Sequence, residues 1–226
     1  MRLTAFFVGS PQWEHAMAEV HISKHPLLLH RVGRLRDRDT PSPVFRRLVR
    51  EIAQLLFWEA TRDLSLEAYR VTTPLAECGA QRLHERIGLV PILRAGLGMA
   101  DAIVELTPEA QVWHLGLYRD HKTLKPITYY NKLSQHANLD LAYVVDPMLA
   151  TGGSALAAID ILKQWSIRQI RFLAIIAAPE GVEVMQKAHP DVPIFLAALD
   201  ERLNEHSYIM PGLGDAGDRQ FGTLTG

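Results

Sequence analysis

Three nearly unbroken apolar runs, LAYVVD (141–146), IRFLAIIA (170–177) and PIFLAAL (193–199), constrain the fold of this chain more than any other feature. Continuous runs of this kind read as strands buried on both faces rather than on one. Between them lie two helical stretches, SALAAIDILKQW (154–165) and GVEVMQKA (181–188). In the first, Leu156, Ile159, Ile161 and Leu162 are available for packing. GLVPIL (88–93) and VWHLGLY (112–118) read as two further strands, and a helical stretch through Ala100, Ile103 and Val104 follows the first of them. Strands alternating with helices predict an α/β fold, a parallel sheet flanked by helices on both faces. Ligands on such sheets sit beyond the carboxyl ends of the strands.

Ahead of this region, Ser42-Pro43 starts a helix. Phe45, Leu48, Val49, Ile52, Leu55 and Leu56 then recur at helical spacing to about Ala60. Phe57 and Trp58 widen the apolar arc, so this helix is either well buried or part of a subunit interface. Residues 1–24 carry no pattern that separates an extra strand, an arm or disorder. The C-terminal stretch YIMPGLGDAGDRQFGTLTG (208–226) is neither strand nor helix by pattern. Long glycine-rich loops in compact domains are commonly functional.

Charge narrows the partners. The formal net charge is −1, which argues against a broad cationic face for nucleic acid or anionic lipid. A small polyanion needs only a local patch and stays open. No apolar stretch approaches the roughly 20 residues that span a bilayer, and MRLTAFFVGS makes a poor signal peptide. Cys78 is the one cysteine, so neither an internal disulfide nor a cysteine-based zinc site can form. A reducing compartment, the cytoplasm, is the expected location.

The sharpest local signal is VVDPMLATGGSALAAI (144–159). A strand delivers Asp146 at its carboxyl end, and Thr151, Gly152, Gly153 and Ser154 open a helix. Helix starts present unpaired N–H groups, and glycine lets a phosphate approach them closely. Asp146 is placed to accept hydrogen bonds from vicinal hydroxyls of a sugar carrying that phosphate, so the motif reads as a ribose 5-phosphate site. The plain alternative is a strand–loop–helix with Ser154 as its cap. VPILRAGLGM (90–99) leaves another strand through a tight turn, where amides around Ala95 and Gly96 make an anion nest and Arg94 binds oxygens bidentately. A surface arginine beside an ordinary turn is the alternative. Two such loops on neighbouring strand ends suggest a substrate with phosphate at both ends. YRDHKTLKPITYYNKL (118–133) suits a β-arm closing over a polyanion, with Arg119 as the candidate for contact; a solvated hairpin explains its lysines equally well.

These strings resemble uracil phosphoribosyltransferases of the type I phosphoribosyltransferase class. VVDPMLATGGSA, VPILRAGLGM, GLYRD with K-T-L-K-P, and above all YIMPGLGDAGDRQFGT carry the resemblance. HPLLLHRVGRLRD (25–37) and LFWEATRDLSLE (56–67) look like the family's amino-terminal helices. The resemblance covers roughly 20–223. It implies one phosphoribosyltransferase domain over 20–226, with a hood from the N-terminal helices and the C-terminal loop, and an extension at 1–19. It also implies conversion of uracil and phosphoribosyl pyrophosphate to UMP and pyrophosphate with Mg²⁺, a homodimer or larger homo-oligomer, and in some members a GTP effector.

Carried over by position, Asp146, Pro147, Met148, Leu149, Ala150, Thr151, Gly152, Gly153 and Ser154 would hold the ribose 5-phosphate moiety. Arg94 and Arg119 would meet the pyrophosphate. Ile209, Gly214, Asp215 and Ala216 would form the uracil site, largely through backbone groups, with Asp215 also near the donor. Asp215 is the one plausible general base in that loop. Pro147 stands where many phosphoribosyltransferases have a second acid, so no protein ligand is assigned to Mg²⁺, which is expected on the donor and water. Ser207 stands where the family commonly has glycine, and Leu224 where a lysine or acid is common. Rival readings are an RNA-binding regulator on the same core, an enzyme for another base, and a silent homologue. Near-neutral charge opposes the first, the C-terminal string the second, and the retained Arg94, Arg119 and Asp215 the third.

Overall fold

The computed structural model describes residues 18–119, 126–131 and 138–223. The described chain opens with strand β1 (Val20–Ile22) and helices α1 (Pro26–Arg36) and α2 (Ser42–Ala60). Both helices carry proline in the first turn, where a missing N–H costs no intrahelical bond. α2 runs between the residues that its apolar spacing requires. Phe45, Leu48, Val49, Ile52 and Leu56 are fully buried along one face, while Trp58 stays 58% exposed on another.

A hairpin follows, β2 (Leu66–Thr72) and β3 (Glu77–Leu83), paired antiparallel as a sheet of its own. Then come β4 (Ile87–Leu93), α3 (Leu97–Val104), β5 (Gln111–Val112), β6 (Leu115–Arg119), β7 (Pro126–Asn131) and β8 (Leu141–Val145). The last third holds β9 (Met148–Leu149), α4 (Gly153–Gln164), β10 (Gln169–Ala177), α5 (Pro179–Ala188), β11 (Ile194–Leu199), β12 (Arg202–Leu203), β13 (Ile209–Met210) and α6 (Ala216–Phe221).

The main sheet has the order β1-β11-β10-β8-β4-β6-β7, with β5 beside β4 and β9 beside β10. Its pairings are parallel except β6 with β7. The continuous apolar runs arise because the sheet has a core on each face. Along β8, Leu141, Tyr143 and Val145 point into the core shared with α1, α2 and α3, while Ala142 and Val144 point into the core under α4 and α5. β10 divides likewise, Leu173 and Ile175 against Phe172 and Ala174. Among the described residues no helix is long and apolar enough to cross a membrane.

Three sequence expectations are corrected. VWHLGLY is two strands, β5 and β6, with a break at Trp113-His114. LFWEATRDLSLE is helical only to Ala60, and β2 begins at Leu66. The C-terminal stretch, read as patternless, holds β13 and α6. The β2–β3 hairpin is exposed on most positions of both strands, so it has no apolar alternation to betray it. Within 1–24, residues 18–22 settle as an edge: β1 pairs with β11, and the Ala18 carbonyl accepts a bond from Gln186 Nε2 at 2.7 Å. The rest of the 1–19 extension lies outside the described residues.

β12 and β13 are joined by a turn in which Asn204 Oδ1 accepts from the amides of His206 and Tyr208. Ser207 closes it at φ 64°, in the left-handed region that disfavours a side chain. Relief of roughly 1–2 kcal/mol of left-handed strain outweighs glycine's entropy cost of roughly 0.5–1 kcal/mol, so Ser207→Gly should raise stability by about 0.5–1 kcal/mol net. A thermal melt should show an increase of about 1–3 °C for a chain of this size.

Candidate active site

The carboxyl ends of β4 and β8 lie side by side, because Pro91 and Val145 are partners in the parallel ladder. Each strand ends in a turn that bears a polar residue, Arg94 after β4 and Asp146 after β8. The β4 turn is pressed against the β8 end. A Cβ on Gly96 would lie 2.4 Å from the Val145 carbonyl oxygen and 2.8 Å from Ile92 N, so no larger residue fits without moving backbone. The Gly96 amide donates to Ile92 O at 2.9 Å and is thus committed to the turn itself. This turn offers the Arg94 side chain, rather than the Gly96 amide, to a ligand.

Asp146 is half-buried, and its Oδ1 accepts a bond from Met148 N at 3.1 Å. Loss of water around the carboxyl pushes its pKa up to about 7; the Met148 bond opposes this, and the nearby Asp215 charge adds to it. A carboxylate held in this state is relieved by any ligand that donates hydroxyls or positive charge to it. The loop beyond it bounds a cavity of about 80 Å³, lined by Asp146, by Met148 through Ser154, and by Ala155. Pro147 is buried beneath the loop, where its carbonyl accepts from the amides of Ile175 and Ile176. Gly152, at φ 81°, is the N-cap of α4, and no side chain caps this helix. Ser154 therefore does not act as its cap, and the first turn of α4 faces the cavity.

The C-terminal segment completes the cluster. Ile209 is buried in β13, paired with Leu203, and Gly214 has φ 76°. Asp215 caps α6 by accepting from Asp218 N at 2.8 Å, and Ala216 is buried behind it. α6 then meets the β4 turn: Arg94 Nη2 lies 3.2 Å from Asp218 Oδ1, and Gln220 Nε2 donates to Ala95 O at 3.2 Å. A Cβ on Gly217 would sit 3.2 Å from Asp215 Oδ1 and 3.9 Å from Arg94 Nη2, which places both groups on one side of α6. Arg94, Asp146, the α4 start and Asp215 are thus brought together. Arg119 ends β6, and its side chain lies outside the described residues, as does most of the β-arm loop.

Several residues whose contacts the motifs do not reveal hold this segment in place. Arg36 pairs with the buried Asp200, and Arg219 donates to the carbonyls of Leu35, Leu213 and Asp37 while lying 4.4 Å over the Phe45 ring. Arg46 donates to Gln220 O at 3.0 Å. RLRDRDT shows charge density in the sequence but not its partners.

A parallel sheet covered on both faces, with a strand-end acid and a glycine-capped helix bounding a small cavity, is the arrangement that the resemblance to type I phosphoribosyltransferases implies. The same fold occurs in a hypoxanthine-guanine phosphoribosyltransferase from Bacillus anthracis, at 12% identity, a TM-score of 0.50 and coverage of 70% of this chain and 80% of that one. The AQ2163 protein of Aquifex aeolicus superposes over 92% of this chain and 100% of its own, with 36% identity and a TM-score of 0.87. The family model for uracil phosphoribosyltransferase matches residues 22–223. Uracil phosphoribosyltransferases of Roseiflexus sp. (strain RS-1) and Roseiflexus castenholzii are 61% and 59% identical over 207 residues, 92% of this chain and their full length. The chain belongs to the uracil phosphoribosyltransferase family, enzymes that transfer the phosphoribosyl group of phosphoribosyl pyrophosphate to uracil, forming UMP.

Two outcomes follow from this geometry. A Cβ on Gly152 would add left-handed strain and lie 3.1 Å from Val184 Cγ1 and 3.3 Å from Gly181 O. Gly152→Ala should cost about 1–3 kcal/mol in a denaturant titration. Asp146 binds its proton more tightly in the folded state than its ordinary value of 3.8 allows, at about 7. Its contribution to ligand-free stability is therefore full below about pH 4 and lost as pH rises through 7. Melts across that range should show this decline in the parent protein and a flatter profile in Asp146→Asn.

Proposed function

We propose that this chain makes UMP by a positioned displacement in which the cluster at the ends of β4 and β8 binds both reactants. The observation that carries the reading is the convergence of Arg94, Asp146, the α4 start and Asp215 on one side of the sheet's carboxyl edge. The amides opening α4 and the hydroxyls of Thr151 and Ser154 take the 5-phosphate. Asp146, ionised, accepts from the ribose hydroxyls. Arg94 leaves Asp218 to meet the pyrophosphate, and Arg119 approaches from β6.

As the bond from C1 to pyrophosphate breaks, negative charge grows on the leaving group and the ribose ring becomes cationic. Once Arg94 has exchanged Asp218 for the pyrophosphate, Arg94 and Arg119 stabilise that charge. Backbone groups from Ile209 to Ala216 orient the uracil edge, and Asp215 is the proposed acceptor for the N1 proton. Cytosine, with a different donor pattern, would leave buried polar groups unpaired.

Mg²⁺ brought by the donor supplies further compensation for the leaving group. Among the described residues no three or more His, Cys, Asp and Glu gather into a metal cage. The mutual repulsion of Asp146 and Asp215 nonetheless favours positive charge beside them. The ion is assigned mainly to donor oxygens and water, because Pro147 stands where many phosphoribosyltransferases have a second acid. Residues 20–226 act as one domain in this reading. The exposed apolar side chains of Leu27, Trp58 and Leu106 support a homodimer or larger assembly. A GTP effector rests on the resemblance alone, and a cytoplasmic location on the single cysteine.

The test is UMP formation from labelled uracil, phosphoribosyl pyrophosphate and Mg²⁺, with cytosine, hypoxanthine and orotate in parallel. Turnover with uracil alone is expected, and Arg94→Ala and Asp215→Asn should each lower kcat/KM by on the order of 10²-fold or more. Folded protein that turns over none of the bases, with or without GTP, would reject the proposal.

A further inference from the structure

Besides the Arg219 contact at Leu213 and the β12–β13 pairing, the base loop is fastened at Gly212. Its amide donates to Asp200 Oδ2 at 2.9 Å, and its carbonyl accepts from Arg36 Nη1 at 2.8 Å. The same Nη1 donates to Asp200 Oδ2 at 2.7 Å, and Arg36 Nη2 meets Asp200 Oδ1. One ion pair thus engages both backbone polar groups of Gly212 in a closed ring. The Asp200 side chain is 2% exposed, so its charge is stripped of water and depends on these partners. The pair also spans three distant parts of the chain: the last residue of α1, the residue after β11, and the loop after β13.

Gly212 has little freedom of its own. It sits at φ 65°, and a Cβ there would lie 2.1 Å from Ile209 O. It stands between Ile209 and Ala216, the two ends of the segment proposed to meet the base. Where recognition is by backbone, the direction of those groups follows from the dihedrals of the residue that turns the chain. Both donors and acceptors at that residue are taken by Arg36 and Asp200.

We infer that Arg36 and Asp200 are positioning residues for the uracil subsite, acting through Gly212 without touching substrate. The inference rests on the proposed reading of residues 209–216 as the base loop. It assigns the ion pair a role in orientation beyond that of joining α1 to the sheet.

Steady-state kinetics with each substrate varied separately test it. Asp200→Asn removes the charge at constant shape, Arg36→Lys keeps the charge but loses the planar fork, and Arg36→Met with Asp200→Asn leaves no buried charge orphaned. In variants that melt cooperatively, KM for uracil should rise by about tenfold or more, as misplacement of a positioned group predicts, while KM for phosphoribosyl pyrophosphate changes less than about twofold. An unchanged uracil KM with activity falling in step with the folded fraction would overturn the inference, as would loss of the fold in all three variants. Asp215→Asn runs alongside as the control for the base-loop reading. If it leaves uracil kinetics untouched, that reading fails; if it alone disturbs them, the reading stands and the role of the ion pair falls.

Discussion

The close approach of Gly96 to the Val145 carbonyl sets the scale of everything around it. Parallel pairing brings the ends of β4 and β8 together, and the absence of a side chain at Gly96 lets the β4 turn fold back over the β8 end. Arg94 and Asp146 therefore start from fixed points on one rigid ladder rather than from independent loops. The third contributor, α6, docks on the same turn through Gln220 and Ala95, so its capping residue Asp215 inherits the same frame. A wider turn at Gly96 would separate all three groups at once. Precision of this kind is what a reaction driven by positioning and charge requires.

The electrostatics follow the same logic of economy. Asp146 pays a desolvation cost when ligand-free, and Asp215 adds repulsion. Arg94, meanwhile, is held by Asp218. A polyanionic sugar with its counter-ion would replace the Asp218 contact of Arg94 and relieve the repulsion at Asp146. Few side chains need to move to pass from one set of partners to the other, since Arg94 is exposed and Asp146 is fixed by its strand.

The sheet and the glycine-capped start of α4 were legible in the sequence because their physics is local. Double-faced burial keeps β8, and β10 from Phe172 onward, apolar, and a helix start at a left-handed φ favours glycine where Gly152 stands. α2 was legible for the same reason, its buried stripe repeating at helical spacing. The β2–β3 hairpin was not, since its side chains face water on both strands and nothing in their order records the pairing. α6 is only six residues long and begins at a capping aspartate, too short for periodicity to show. The fastening of the C-terminal loop was hidden for another reason. Arg36 and Asp200 are separated by 164 positions, and no local pattern couples them. Ser207 stood out as a departure from a glycine, and its positive φ gives that departure a physical meaning.

β1 has a consequence of another kind. Without it, β11 would present a row of unpaired amides and carbonyls along a strand made of Ile, Phe, Leu and Ala. Such an edge is a template for strands from other chains. Three residues of β1 occupy it, and the chain then leaves through Ser23 and Lys24, so the new edge is short and ends in polar residues. By covering half of β11, β1 narrows the stretch of apolar edge open to strands of other chains, a brake on sheet-to-sheet association in concentrated solution.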